Sequence, residues 1–375
     1  MARLCLLANA ASSHTEKWAS ELVRRGWEVD IISFLPASIP HVVIHVVPPI
    51  FGSKTDVILR QHWIVRKVKQ LKPDLVHAHY ASSFGFLGAL ADQHPLIISA
   101  WGSDIFAFPR KSILHRRLLK WTLKQADVLC STSRIMAETM ASYLESGRRI
   151  EVIPFGVDVT RFAPPSEKGD GAVRVVFGVA KYLQPVYGLD VLLKAFAELD
   201  GRLPGRVLLR IAGEGPESKR LGRLAKRLGI EDKVEWPGFI PNREVARFYQ
   251  ELDVVVVPSY QESFGVTAVE GSACARPIIA SRVGGLPEVV LDGKTGLLVT
   301  PGSVEELASA MEFLALHPEE RYRLGQAGRA FAVQYYNWQD NVSEMERVYR
   351  ELLQTKGTSI DTDCKQMLKG SSLGN

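Results

Sequence analysis

The sequence predicts an α/β protein built as two doubly wound domains in series. Three observations predict it. Short β-branched runs alternate with helix-length amphipathic stretches through the first half, a Pro/Gly-rich break follows, and the same alternation then restarts. A chain of 375 residues has room for two such domains, at roughly 100–200 residues each.

In chain order, ARLCLLAN, EVDIISF, HVVIHVV, DLVHAHY, LIISAWG, VLCSTS and IEVIPFG read as the strands of the first domain. The opening MARLCLLANAASSH has too short an apolar core for a leader and runs on into EKWASELVRRGWEVDIISF, a strand followed by a helix. The segment APPSEKGDGA (163–172) reads as a linker. Beyond it, VRVVFGVA, VLLRIAG, VEWPGF, DVVVVPS, PIIAS and GLLV read as strands. Helices are expected near 189–199, 217–229, 243–251, 264–275 and 304–316, then 320–334 and 338–355. These elements set domains at 1–165 and 166–335, a last helix at 336–355 that packs back on the first domain, and a polar, Gly/Ser-rich tail at 356–375 expected to be disordered. Two such sheets facing each other would make a central cleft at the carboxyl ends of their strands, where ligands bind in this class of sheet.

Composition narrows the chemistry. Cys5, Cys130, Cys274 and Cys364 lie far apart, with no Cys/His ligand spacing, so neither a disulfide scaffold nor a metal site is expected and a reducing cytoplasm is. No stretch approaches the roughly 18–20 apolar residues of a membrane span. Residues 1–165 hold 20 Lys/Arg against 13 Asp/Glu, whereas residues 166–375 hold 26 against 28. The basic excess of the first half points to an acidic partner. It concentrates in RQHWIVRKVKQLK (60–72) and RKSILHRRLLKWTLK (110–124), neither of which contains an acid. In the second run Leu114, Leu118 and Trp121 fall on one helical face. That face is either a core stripe with a solvated basic back or a helix lying on anionic lipid. Nucleic acid is not expected as a partner, because no aromatic-interleaved basic motif or reading helix is present.

The densest chemistry lies in PSYQESFGVTAVEGSACARPIIASRVGGLPEVVLDGKTGLLV (258–299). A buried strand ends at Pro258, a polar loop carries Glu262, and SFG opens a helix on which Glu270 stands about two turns from the entrance. The N–H groups of Ser263, Phe264, Gly265 and Val266 make a ready anion site, since the first N–H groups of a helix lack intrahelical partners. Two carboxylates flanking that nest could hold the hydroxyls of a sugar and a ribose on either side of a diphosphate. Outside this segment, His77 and His79 sit two positions apart and share one face of a strand. Asp104 is either a helix cap or a ligand contact. Arg161 is expected in a structural ion pair at the linker.

The 258–299 segment resembles the C-terminal signature of the family 4 glycosyltransferases, which have the GT-B fold of two Rossmann-like domains. GLDVLLKAF (188–196), IAGEGPE (211–217) and LGIEDKVEWPGFIP (228–241) follow the family's order, as do PDLVHAHYASSFGFLGALA (73–91), ISAWGSDIF (98–106) and IPFGVDVTRFAP (153–164). The resemblance covers about residues 1–355. It implies metal-independent, retaining transfer of a sugar from a nucleotide-diphosphate-sugar co-substrate, held by the second domain, to an acceptor on the first. That acceptor would be a glycan, a lipid-linked sugar or a small molecule, and the enzyme would be cytoplasmic or peripheral on the cytoplasmic membrane face, serving cell-envelope polysaccharide synthesis.

Carried onto this chain, the candidate catalytic residues are Glu262, Lys181 and His79. Glu270 would bind the donor ribose, while Glu262 and the backbone of Ser263, Phe264, Gly265 and Val266 would hold the sugar and β-phosphate. The loops Gly213–Gly215 and Gly238–Phe239–Ile240 would frame the nucleoside. His14, His77 and Asp104 are candidates on the acceptor side.

Three positions depart from the family pattern. In GVAKYLQPVYGLD (178–190), Lys181 replaces the usual Arg, and Val186 and Tyr187 occupy the region of a usual Lys. ANAASSH (8–14) lacks the usual Gly pair. Trp101 stands where a His often precedes Gly102-Ser103-Asp104. Two alternatives follow: a sugar-nucleotide epimerase or hydrolase on the same scaffold, which would need a matched acid and base, or a non-catalytic nucleotide-sugar-binding subunit.

Overall fold

The computed structural model describes residues 1–51, 56–165 and 174–370, with backbone alone for residues 56 and 356–370. Most of the expected linker lies outside the described residues. The chain divides into two units, Met1–Ile153 with Asn341–Asn375, and Pro154–Asp340.

In the first unit, seven parallel strands follow the buried runs of the sequence: β1 (Arg3–Leu7), β2 (Glu28–Ser33), β3 (Val43–Val46), β4 (Leu75–His79), β5 (Leu96–Ser99), β6 (Val128–Ser131) and β7 (Ile150–Val152). They lie in the order β3-β2-β1-β4-β5-β6-β7. The central strands are buried on both faces, which is why they read as unbroken apolar runs. One core layer joins Val76, Ala78 and Ile98 of the sheet to Ile64, Leu87, Leu119 and Leu123 of the covering helices.

In the second unit, six strands, β8 (Val175–Ala180), β9 (Val207–Ala212), β10 (Val234–Gly238), β11 (Val254–Val257), β12 (Ile278–Ser281) and β13 (Gly296–Val299), lie in the order β10-β9-β8-β11-β12-β13. All their pairings are parallel. Both sheets reverse direction beside their first strand, between β1 and β4 and between β8 and β11. A crevice opens outside the carboxyl ends of the strands at such a reversal.

Four features differ from the sequence expectation. Residues 154–165 group with the second unit, although the boundary was expected at 165. The Arg329 guanidinium explains this: it donates to the carbonyls of Val159 (2.9 Å), Phe162 (2.6 Å) and Ala273 (2.7 Å). Phe162 is buried among second-unit residues. Arg161 forms no ion pair among the described residues; it donates to Asn242 Oδ1 at 2.8 Å and lies over the Phe162 ring.

The last helix, Trp338–Gly370, continues past 355 into the segment expected to be disordered. Only one glycine and no proline interrupt residues 356–369, so backbone helix is not broken there; residues 371–375 lie outside the described residues. From Asn341 this helix groups with the first unit, where Glu346 accepts from Trp27 Nε1 and Arg25, both at 2.8 Å.

Finally, the helix Ile113–Gln125 turns Leu119, Thr122 and Leu123 to the core, not the Leu114/Trp121 side. Leucines stand on both sides of this helix, so spacing alone does not select the buried face.

Candidate functional site

The reversal point of the second unit gathers the residues that the sequence singled out. Strand β8 ends at Ala180, and Lys181 is the next residue, held by its N–H to the Ala212 carbonyl at 3.0 Å. Strand β11 ends at Val257, and the loop after it carries Glu262. The two side chains meet, with Lys181 Nζ 2.8 Å from Glu262 Oε2 and both largely withdrawn from solvent. Ser259 Oγ donates to the same carboxylate oxygen at 3.4 Å. On its other side the Lys181 ammonium lies 4.4 Å from the centre of the Tyr187 ring. Tyr187 closes the short turn Pro185–Tyr187, and the Tyr260 N–H donates to Val186 O at 2.9 Å, tying that turn to the Glu262 loop. Spacing could not give the ring's position under the ammonium; the motif Y-G-x-D before a helix was its only trace.

The helix begins at Val266, later than expected, because Gly265 adopts φ +111° and breaks the turn before it. Glu270 is therefore the fifth helical residue, little more than one turn from the entrance instead of two. Thr267 Oγ1 donates to Ala180 O at 3.4 Å, which brings the first helical turn against the end of β8. Ser263 and Val266 are half-buried; Phe264 is buried and packs edge-on to Tyr336. Beneath the helix the Tyr249 hydroxyl is raised well above its ordinary pKa, first by burial and then by the Glu270 charge.

Gly284 fixes the Glu262 loop from behind. It has φ +53°, and a Cβ there would collide with the Glu262 carbonyl; Gly285 N–H donates to that carbonyl at 3.1 Å. Gly213 N–H donates to Gly238 O at 2.7 Å, so the Gly213–Gly215 and Gly238–Ile240 loops run side by side. Phe239 is exposed and Ile240 half-buried. The unit thus offers an ammonium paired with one carboxylate at a helix entrance and a second carboxylate little more than one turn along that helix, which is a surface able to take an anion flanked by hydroxyl-bearing groups.

The reversal point of the first unit gathers rings. His14 lies in the first turn after β1, and His79 ends β4. His79 lies 5.0 Å from the Trp101 ring and 4.6 Å from His77, and His14 meets Trp101 edge-on at 5.7 Å. Burial pushes His79 down to about 3, with the His14 charge adding to it; burial and then Lys17 push His14 to about 4. Both are neutral near pH 7. Among the described residues, His79 Nδ1 is buried with no hydrogen-bond partner.

His77 and Asp104 are engaged inside the fold. His77 Nδ1 pairs with the Tyr349 hydroxyl at 2.6 Å and Nε2 with Ser99 Oγ at 2.7 Å. The Asp104 carboxylate accepts from the N–H groups of Ala81 (2.7 Å), Gly102 (2.8 Å) and Trp101 (3.2 Å), with no side-chain cap on its own helix. It brackets the ends of β4 and β5; burial raises its pKa and those three bonds oppose the rise. Among the described residues, no group of three or more His, Cys, Asp or Glu side chains could hold a metal ion.

Comparison with known proteins is consistent with this geometry. Residues 169–331 match the family described as glycosyl transferases group 1, and residues 3–133 match the family described as glycosyl transferase 4-like. The D-inositol 3-phosphate glycosyltransferase of Saccharomonospora viridis is 33% identical over 321 residues, covering 77% of this chain and 72% of that protein. The protein of the same name from Corynebacterium jeikeium is 32% identical over 74% of this chain and 72% of its own length. Among solved structures, sucrose-phosphate synthase from Thermosynechococcus elongatus aligns with a TM-score of 0.82 at 21% identity, over 95% of this chain and 100% of that one. Anabaena HepE in complex with UDP and glucose aligns with a TM-score of 0.80 at 21% identity, over 94% of this chain and 100% of that one. These two likenesses establish the fold class, GT-B.

Proposed function

The chain belongs to the family 4 glycosyltransferases, and on that premise we propose that it moves a sugar from a nucleotide-diphosphate-sugar to an acceptor hydroxyl, with retention at the anomeric carbon and without a bound metal. The observation that carries the donor site is the Lys181–Glu262 pair at the entrance of the helix Val266–Ala273, with Glu270 one turn further on. The diphosphate would lie on the N–H groups of Ser263–Val266, Glu262 would hold the sugar hydroxyls, and Glu270 the ribose. The leaving diphosphate gains negative charge as the bond from the anomeric carbon to the β-phosphate oxygen lengthens. Lys181 and the helix N-terminus supply the fixed positive potential that stabilises it. Gly213, Gly215, Gly238, Phe239 and Ile240 would frame the nucleoside.

The acceptor is proposed to bind the first unit at His14, Trp101 and His79. His79 carries a buried nitrogen with an unused hydrogen-bonding position, and its neutral ring can accept or donate a hydrogen bond without a charge to desolvate. His77 and Asp104 support that site from behind. UDP-glucose, which the Anabaena neighbour binds, is the first donor to try, and D-inositol 3-phosphate, named in the relatives, the first acceptor. The dispersed cysteines fit a cytoplasmic location.

The reading is tested by transfer assays on Glu262→Ala and Glu270→Ala after circular dichroism shows that both are folded. Each is expected to lose at least about a hundredfold in transfer, the scale of one lost transition-state contact in a dry site. Full activity in both would overturn the assignment. Rapid consumption of donor without acceptor would favour hydrolysis or epimerisation instead.

A further inference from the structure

The layer beneath the helix Val266–Ala273 holds a polar atom that the fold leaves unused. Tyr249 stands in the last turn of the helix Asn242–Gln250 and is fully buried. Its ring lies 5.7 Å from Phe248 and 6.4 Å from Phe162, in an apolar layer shared with Ala268, Val269 and Ala273. Among the described residues, the Tyr249 hydroxyl has no hydrogen-bond partner. A buried hydroxyl in that state destabilises a fold, and native structures hold few of them. Packing alone does not ask for it: a phenylalanine would fill the same layer and leave nothing unpaired.

What stands over the hydroxyl shows where its bond can go. Thr267, Glu270 and Cys274 follow one another at three and four residues, so they share one side of the helix Val266–Ala273 and its cap. The Cys274 thiol donates to the Ala246 carbonyl at 3.9 Å, which sets that side against the helix carrying Tyr249. Burial first, and then the Glu270 charge, raise the Tyr249 pKa well above its ordinary value, so the group is a neutral phenol with a proton to donate near pH 7. Thr267 and Glu270 are the polar side chains within its reach. Thr267 offers a neutral oxygen whose own proton goes to Ala180 O, at 3.4 Å. Glu270 offers a charged one, and a hydrogen bond to an ionised acceptor is roughly twice as strong. Glu270 is half-buried, between this layer and the donor surface.

We infer that Tyr249 is a positioning residue of the donor site, donating its hydroxyl proton to the Glu270 carboxylate and so aiming that carboxylate at the ribose. The inference rests on the assignment of Glu270 to the ribose. An ionised carboxylate has about four lone-pair sites. Two take the 2′ and 3′ hydroxyls of the ribose, and the phenol holds another from behind. The bond closes when the ribose fixes the carboxylate, which is why the hydroxyl stands unused in the free protein. Tyr249 thereby sharpens the choice of a ribonucleotide over a deoxyribonucleotide, since a site built to bond a hydroxyl rejects the analogue that lacks it.

The experiment is calorimetric titration of the full chain with UDP, GDP and ADP and with the 2′-deoxy form of each, beside thermal unfolding without ligand. The proteins are wild type, Tyr249→Phe, Glu270→Ala and the double variant. The wild type is expected to prefer the ribose form of the diphosphate it binds most tightly. Tyr249→Phe should lower that preference by about fivefold to tenfold, the scale of one hydrogen bond to a charged group. Its unfolding midpoint should stay or rise, because an unpaired buried hydroxyl is removed. In the Glu270→Ala background Tyr249→Phe should change the preference no further, since two residues acting through one contact are not additive. A tyrosine that only fills the core gives the reverse pattern, a lower midpoint with an unchanged preference, and that result would overturn the inference. So would an effect of Tyr249→Phe that persists undiminished beside Glu270→Ala. A wild type without any preference for ribose, or a preference that survives Glu270→Ala, contradicts the ribose assignment itself and the inference with it; both show before Tyr249 is changed.

Discussion

Lys181 stands between a carboxylate and a ring, and that position sets what it would do in the proposed donor site. Bound to Glu262 at 2.8 Å, it neutralises the carboxylate; 4.4 Å from the Tyr187 ring centre, it is held by the ring's negative face. A diphosphate arriving at the helix N-terminus would compete with Glu262 for this ammonium and release the carboxylate toward the sugar. Tyr187→Phe keeps the ring and is expected to retain most activity, whereas Tyr187→Leu should lower kcat several-fold more than it alters folding. Steady-state kinetics beside thermal unfolding check this. Lys181→Ala should cost more than Tyr187→Leu, since it removes the charge itself. Sequence reading singled out Glu262 and Glu270 from the loop and helix that follow a buried strand, and Lys181 only through the family resemblance. It could not reach Tyr187 as a support for the ammonium; it ranked His79 above His77 without a packing reason, and only the structure shows that His77 is taken up by Tyr349 and Ser99.

The buried histidines make a second prediction. The native pKa values of His79 and His14 lie near 3 and 4, below the ordinary value of about 6.5. The unfolded chain therefore takes up protons first as pH falls. The stability these residues allow is fully present above about pH 6.5 and declines toward pH 4, by about 1.4 kcal/mol per pH unit for each histidine within that window. His79→Gln should flatten the fall of the unfolding midpoint between pH 6.5 and 4.5. An unchanged slope in both His79→Gln and His14→Gln would contradict the assignment.

At the scale of elements, strands were the legible part. Most strands are short apolar runs, buried on both faces in the middle of each sheet, and most parallel neighbours are joined through a helix. Helix faces were less legible. In Ile113–Gln125 the choice between Leu114/Trp121 and Leu119/Leu123 is made by tertiary packing, which leucine spacing leaves open. The segment 154–165 was assigned to the first domain because the polar linker follows it, yet its anchor, Arg329, lies far along the chain. Arg329→Met removes three bonds to carbonyls that would be left unsatisfied; a loss of about 2–4 kcal/mol is expected in urea unfolding. A change below about 0.5 kcal/mol would mean that the segment is held by Phe162 packing alone.

For the whole molecule, two sheets with the same strand logic were readable because the rhythm of strand and helix restarts after the linker. Each sheet places its candidate residues at its own reversal point, Lys181 and Glu262 in one and His14 and His79 in the other. The charge division follows the same partition, with the basic excess confined to the first half. Donor and acceptor chemistry are thus assigned to separate units, and the donor assignment bears the weight of the rest. Its most direct test is a crystal structure of the full chain with UDP. The account predicts diphosphate oxygens within hydrogen-bond distance of the N–H groups of Ser263–Val266 and of Lys181 Nζ, with the ribose on Glu270. Nucleotide bound elsewhere, with the Lys181–Glu262 pair intact and that turn unoccupied, would contradict it.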